Sequence, residues 1–176
     1  MTDHFELLGL PRRFALDPQA LEQAYRLRSR AVHPDYHAQA TQAERQASME
    51  LSAALNTAYT VLRDPFRRAD YLVQLLGGPS AAEHKQMPPD FLAEMLECRE
   101  QLEQARGQPQ ALARLEADFH RRSQQLIEQL GQLFAELEQL APDDPRQAEI
   151  RRRIRMVLNA GQYVRGLLRD LNAGGA

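Results

Sequence analysis

One short run in this chain of 176 residues holds side chains able to do directional chemistry: His33 and Asp35, on either side of Pro34. An imidazole and a carboxylate that close in sequence could exchange a proton. They could equally make charge-assisted hydrogen bonds to an arginine or to main-chain donors of a second protein, with the proline stiffening the pair. Acid–base catalysis is the less favoured use, because a short loop between helices offers no pocket to shift the pKa values or exclude water. Read alone, the tripeptide also suits a helix stop, in which Pro34 ends one helix and Asp35 helps to cap the next segment.

The other reactive side chains form no set. Cys98 is the single cysteine, so no disulfide framework, zinc tetrad or cluster ligand set can be built from this chain alone. It falls on an apolar helical stripe and is assigned no chemistry. His4, His37, His84 and His120 show no H-E-x-x-H spacing, and neither a Ser-His-Asp signature nor a phosphate-cradling glycine loop is present. No cofactor and no metal are expected.

The elements around the tripeptide give it a setting. Asp17-Pro18 supplies an N-cap and a proline at the first helical position, and Leu21, Ala24, Tyr25, Ala31 and Val32 follow at helical spacing. The other face carries Arg26, Arg28 and Arg30, with Glu22 the one acid between Gln19 and Val32, so this helix is locally basic. After the break at His33-Pro34-Asp35, Thr41 to Glu44 reads as a capping box, and Leu51, Leu55, Ala58 and Leu62 recur at intervals of four, three and four. Two such helices joined by a short loop lie antiparallel and present the tripeptide at their tip. Before them, Leu7, Leu8 and Leu10 predict a short helix closed by Pro11; after them, Asp64-Pro65 starts a helix with Phe66, Ala69, Val73 and Leu76, stopped at Gly77-Gly78-Pro79.

Composition sets the class. Val and Ile number eight together and Trp is absent, while Leu, Ala, Glu, Gln and Arg dominate, which predicts an all-α protein. A formal charge of -2 provides no global field to attract nucleic acid or a membrane. The first ten residues read as neither a signal nor a transit segment, and no stretch approaches membrane-spanning length, so a cytoplasmic protein is expected.

Beyond the glycines, Pro88-Pro89-Asp90 opens a helix striped with Phe91, Met95, Cys98 and Leu102, ended by Gly107 and Pro109. A longer helix carries Leu112, Leu115, Phe119, Leu126, Leu130, Leu133, Leu137 and Leu140. A last one, after Asp144-Pro145, carries Ile150, Ile154, Val157, Gly161, Val164, Leu168 and Leu171. None can bury its stripe alone, so an up-down-up three-helix bundle is predicted. The expected organisation is residues 1–76, a linker over 77–89 and the bundle over 90–173.

The basic helix, the His33-Pro34-Asp35 tip and the run Leu55-Asn56-x-Ala58-Tyr59-x-x-Leu62-x-Asp64-Pro65 together resemble a J domain. The continuation Arg67-Arg68-Ala69-x-Tyr71-Leu72, followed by a helical bundle, is similar to the HscB branch of that family, and the resemblance covers nearly the whole chain. It implies a co-chaperone that binds an IscU-type iron–sulfur scaffold, delivers it to an HscA/DnaK-class chaperone and stimulates that chaperone's ATPase, itself no enzyme. It further implies that Tyr25, Arg26, Arg28, Arg30, His33, Pro34 and Asp35 address the chaperone, Asp35 as ionic anchor. Many J domains carry a lysine after the aspartate where this chain has Tyr36-His37, which weakens the positive potential of the tip. Some eukaryotic members carry an extra N-terminal segment with paired cysteines, so a bacterial-type member is expected.

Within the bundle, Leu92 and Leu96 lie one position off the core stripe, with Arg99 and Glu103 continuing their line. The resemblance implies that Leu92, Leu96, Arg99, Glu100, Glu103 and Met156 bind the scaffold. On spacing alone, Leu92, Leu96 and Met156 could equally widen the stripes of a three-helix core. Five acids against one arginine over 90–105, and five arginines against one acid over 146–155, make complementary patches that could pair with each other. Arg151-Arg152-Arg153 is too short and too poor in aromatics to read as a nucleic-acid site. Two other functional classes stay in view: a general J-domain protein serving unfolded clients, disfavoured by the lack of a Gly/Phe-rich linker or zinc-binding cysteines, and a helical module that self-associates through its heptad seams.

Overall fold

The computed structural model describes residues 3–32 and 41–174, and among them every regular element is a helix. The chain divides into two compact units, Met1–Leu72 and Val73–Ala176.

The first unit is built from local caps that the sequence announces. α1 (His4–Leu8) starts where Asp3 accepts a hydrogen bond from the Phe5 N–H. It ends at Gly9, not at Pro11 as expected: Gly9 has φ 66°, a left-handed conformation that lets its N–H reach the Glu6 carbonyl and lets Leu10 N–H reach Phe5. α2 (Pro18–Ala31) is capped by Asp17, and α3 (Gln42–Arg63) by the Thr41–Glu44 box, with both reciprocal bonds formed. Asp64 accepts from the Phe66 and Arg67 N–H groups at the start of α4 (Pro65–Leu75). Phe5, Leu8, Leu21, Leu55, Ala58, Leu62, Phe66, Ala69 and Leu72 make the core. Ala31 and Leu51 belong to the predicted stripes yet are exposed, because the core beneath them ends at Leu21 and Leu55.

Long-range polar contacts lock this unit. Asp3 is 7% exposed and accepts from the Phe5 N–H, the Arg12 guanidinium and the Tyr71 hydroxyl. The Tyr71 hydroxyl accepts from the His4 N–H at 3.0 Å, and the two rings stack at 4.3 Å. Burial pushes the Asp3 carboxyl up, but its three hydrogen bonds outweigh burial and hold it below the usual carboxylate range. Arg68 donates to the Phe14 carbonyl at 2.7 Å and lies over the Phe14 ring. The Arg68-x-x-Tyr71 spacing thus ties α4 back to the start of the chain.

The second unit holds α5 (Phe91–Gln104), α6 (Pro109–Glu138) and α7 (Arg146–Gly174). α6 and α7 are 30 and 29 residues long against 14 for α5, so at about 1.5 Å per residue α5 covers roughly half of the α6–α7 pair. Met95, Cys98, Leu102, Phe119, Leu130, Phe134, Ile154 and Val164 are among the residues that fill the bundle. On α7 the stripe runs through Leu167, which is more deeply buried than the predicted Leu168. α5 starts directly after Asp90, as the sequence predicts, although the Asp90 side chain makes no capping bond.

The stretch expected as a linker packs on α7. Arg151 donates to the Leu76 carbonyl at 2.9 Å, Arg155 to Pro79 at 2.8 Å, and Asn159 to His84 and Gln86 at 2.9 and 2.8 Å. These three donors recur every four residues, so one flank of α7 reads a run of main-chain carbonyls. Gly78 is required at the crossing, since a Cβ there would sit 2.6 Å from Val73 and 3.2 Å from Arg151. Arg155, expected in an arginine patch, is 0% exposed.

Candidate functional site

His33, Pro34 and Asp35 lie outside the described residues, so the tip of the α2–α3 pair rests on sequence alone. The helices that lead to it are described. Residues two positions apart on a helix differ by about 200° around the axis and residues four apart by about 40°, so Arg26 and Arg30 share a flank that Arg28 does not. Arg28 instead reaches the C-cap of α1, where its guanidinium occupies the space that a Cβ on Gly9 would need. Arg26 and Arg30 are exposed, and Leu27 between them and the Arg28 side is 73% exposed, an apolar residue that sequence spacing did not single out.

Tyr25 is half-buried and held from α3. Its hydroxyl donates to Asn56 Oδ1 at 2.6 Å, and its ring stacks on Tyr59 with centroids 4.3 Å apart. Arg26 pairs with Glu22 at 2.8 Å. The Glu22–Arg26 spacing of four was legible as a helical ion pair; the part of Asn56 and Tyr59 was not, because it depends on how two helices sit in register.

In the second unit the ambiguity over Leu92 and Leu96 is resolved by burial. They are 53% and 55% exposed, while Met95, Cys98 and Leu102 of the same helix are buried. Arg99, Glu100 and Glu103 are exposed alongside them. Met156 is half-buried on the flank of α7 that also holds Tyr163, whose ring meets Phe91 edge-on at 6.2 Å. Met156 lines a cavity of about 400 Å³ with Pro88, Pro89, Leu133 and Val157, and the Arg153–Glu136 pair at 3.6 Å spans α7 and α6 beside it. Arg99 and Glu103 line a second cavity of about 410 Å³ with Arg106 and Asp170.

The charge patches do not pair as their signs suggested. Glu94 of α5 binds Arg122 of α6 at 2.6 Å and Glu103 binds Arg106 at 2.9 Å, whereas Arg152 meets Glu149 and Arg153 meets Glu136. Arg151 and Arg155 are thus engaged with the Leu76 and Pro79 carbonyls, Arg152 with Glu149 of α7 and Arg153 with Glu136 of α6. Burial raises the Cys98 thiol above its ordinary value, the opposite of an activated thiolate. Among the described residues no group of three or more His, Cys, Asp or Glu side chains is placed to hold a metal ion, and no helix is long and apolar enough to cross a membrane.

Residues 3–71 match the DnaJ domain family, and residues 87–159 match a family described as the HSCB C-terminal oligomerisation domain. A Bordetella pertussis protein named co-chaperone protein HscB homolog is 44% identical over 135 residues, spanning 76% of this chain and 79% of that protein. Chaperone HscB from Vibrio cholerae superposes with a TM-score of 0.74 at 29% identity, covering 98% of this chain and 96% of that one. The human co-chaperone protein HscB superposes with a TM-score of 0.81 at 24% identity, covering 98% and 82%, a likeness of fold.

Proposed function

Because the chain belongs to the HscB family of J-domain co-chaperones, we propose that it binds an IscU-type iron–sulfur scaffold and delivers it to an HscA/DnaK-class chaperone, whose ATPase it stimulates. The observation that carries this reading is the flank of α5: two leucines more than half exposed on a helix whose Met95, Cys98 and Leu102 are buried. Exposed apolar side chains rimmed by charges fit a protein-binding face better than a solvated one. Leu92, Leu96 and Met156 supply apolar contact to the scaffold, and Arg99, Glu100 and Glu103 supply the polar rim.

The chaperone is addressed by the first unit. Tyr25, Arg26 and Arg30 offer an aromatic and two cations to an acidic surface, and His33-Pro34-Asp35 offers an anchor for an arginine or main-chain donors. Arg28 contributes from the Gly9 side. Residues 1–76 and 90–173 would carry these two functions, with 77–89 held on α7. Holding two binding events on one chain raises the scaffold's effective concentration at the chaperone, so each affinity can be modest. A cytoplasmic protein fits this role.

The test is ATP hydrolysis by a purified HscA-type chaperone with this protein, with and without an IscU-type scaffold. Synergistic stimulation that His33→Gln abolishes is the expected result. Equal stimulation without scaffold would refute the client assignment and keep the J-domain role; none at all, with folded components, would refute both.

A further inference from the structure

The outer faces of α2 and α3 carry a network centred on Tyr59, which is half-buried on α3. Its ring stacks on Tyr25, the planes 18° from parallel. Its hydroxyl donates to Glu22 Oε2 at 2.6 Å, and Glu22 Oε1 accepts from the Arg26 guanidinium at 2.8 and 2.9 Å. Arg63 lies 5.9 Å from the Tyr59 ring centre, within cation–π range. The Tyr59 bond, followed by that from Arg26, keeps the Glu22 carboxyl below its ordinary range, and the same bond raises the Tyr59 phenol. One side chain on α3 therefore touches, directly or through one intermediary, both α2 residues that lie next to each other on the basic helix.

We propose that Tyr59 is a positioning residue for chaperone docking: it fixes the Tyr25 ring by stacking and the Arg26 guanidinium through Glu22 before the chaperone arrives. The inference rests on the reading that Tyr25 and Arg26 face the chaperone. A long side chain that must be ordered on binding costs roughly two- to tenfold in affinity, and ordering it beforehand removes that cost. As a positioning residue for docking, Tyr59 acts on how tightly the chaperone is held and leaves the rate reached at saturation unchanged.

The test is a titration of the full-length protein into an HscA-type chaperone, reading the concentration for half-maximal ATPase stimulation and the maximum separately. Tyr59→Phe keeps the stack and loses the Glu22 bond; Tyr59→Leu loses both. Tyr59→Phe is expected to raise the half-maximal concentration roughly two- to tenfold and Tyr59→Leu further, each with an unchanged maximum. Coupling separates positioning from general stability: Tyr59→Phe should add little to Arg26→Ala, and Tyr59→Leu little to the Tyr25→Ala/Arg26→Ala double variant. Helicity and unfolding midpoint are followed in parallel, and Tyr59→Phe keeps the test decisive if the leucine variant fails to fold. A wild type that stimulates alongside an unshifted Tyr59→Phe, a lowered maximum, or full additivity with Arg26→Ala overturns the inference alone. A folded wild type that does not stimulate a competent chaperone overturns the docking reading and this inference together.

Discussion

Replacing Asp3 by alanine removes three hydrogen bonds at once, and their sum is large for a unit of this size. The N-cap to Phe5 is worth about 1 kcal/mol. The bond from the Tyr71 hydroxyl, made to a buried ionised acceptor, is worth about 1.5–3 kcal/mol. The exposed Arg12 adds little. The expected loss is therefore about 3 kcal/mol, against a total of roughly 4–11 kcal/mol for some 70 residues. At about 4–8 °C per kcal/mol, the midpoint of the first unit should fall by at least about 12 °C. Thermal unfolding followed by near-ultraviolet circular dichroism, with hydrogen exchange on α1 and α4 to assign the transition, measures it. Asp3→Asn keeps acceptors for Phe5 and Tyr71 and should lose about half as much. The carboxyl titrates below its ordinary value in the folded state, so its contribution is complete above the unfolded pKa and disappears as pH falls through the folded one. A shift of under about 3 °C for Asp3→Ala, which is under 1 kcal/mol on the same scale, would refute the reasoning: water would then replace the three bonds at almost no cost.

Leu92→Ser with Leu96→Ser should weaken scaffold binding at least about tenfold in a calorimetric titration while moving the unfolding midpoint by little, since both side chains are mostly in solvent. Arg155→Leu strands the Pro79 carbonyl and removes a buried charged donor, so urea unfolding of the second unit should show a loss of about 3 kcal/mol. Burial, partly offset by Asp3, holds the His4 imidazole below its ordinary value of 6.5. The unfolded chain then binds the proton more readily, so stability should drop as pH falls from 6.5 through the folded pKa, and His4→Gln should flatten that part of the profile.

The sequence by itself determined what chain neighbours can satisfy. Asp17-Pro18, Thr41–Glu44 and Asp64-Pro65 close the orphan N–H groups of their own helices within three residues, so those helix starts were legible. The 3.6-residue recurrence of Leu55, Ala58 and Leu62, or of Ile150, Ile154 and Val157, marked buried faces for the same local reason. The His33-Pro34-Asp35 motif remains a sequence finding, since it lies outside the described residues. What the tertiary structure decided depends on register between segments far apart in the chain. Tyr71 meets Asp3 across 68 positions, and Asn159 meets Gln86 across 73; no periodicity within one helix encodes such pairs. Register also brought Arg28 to Gly9, gave Tyr59 its contacts with Tyr25 and Glu22, and buried Arg155 while leaving Leu92 and Leu96 in solvent. A helix stripe fixes which residues share a flank, but whether a flank is covered depends on the length and placement of its neighbours, and α5 is too short to cover the α6–α7 pair alone.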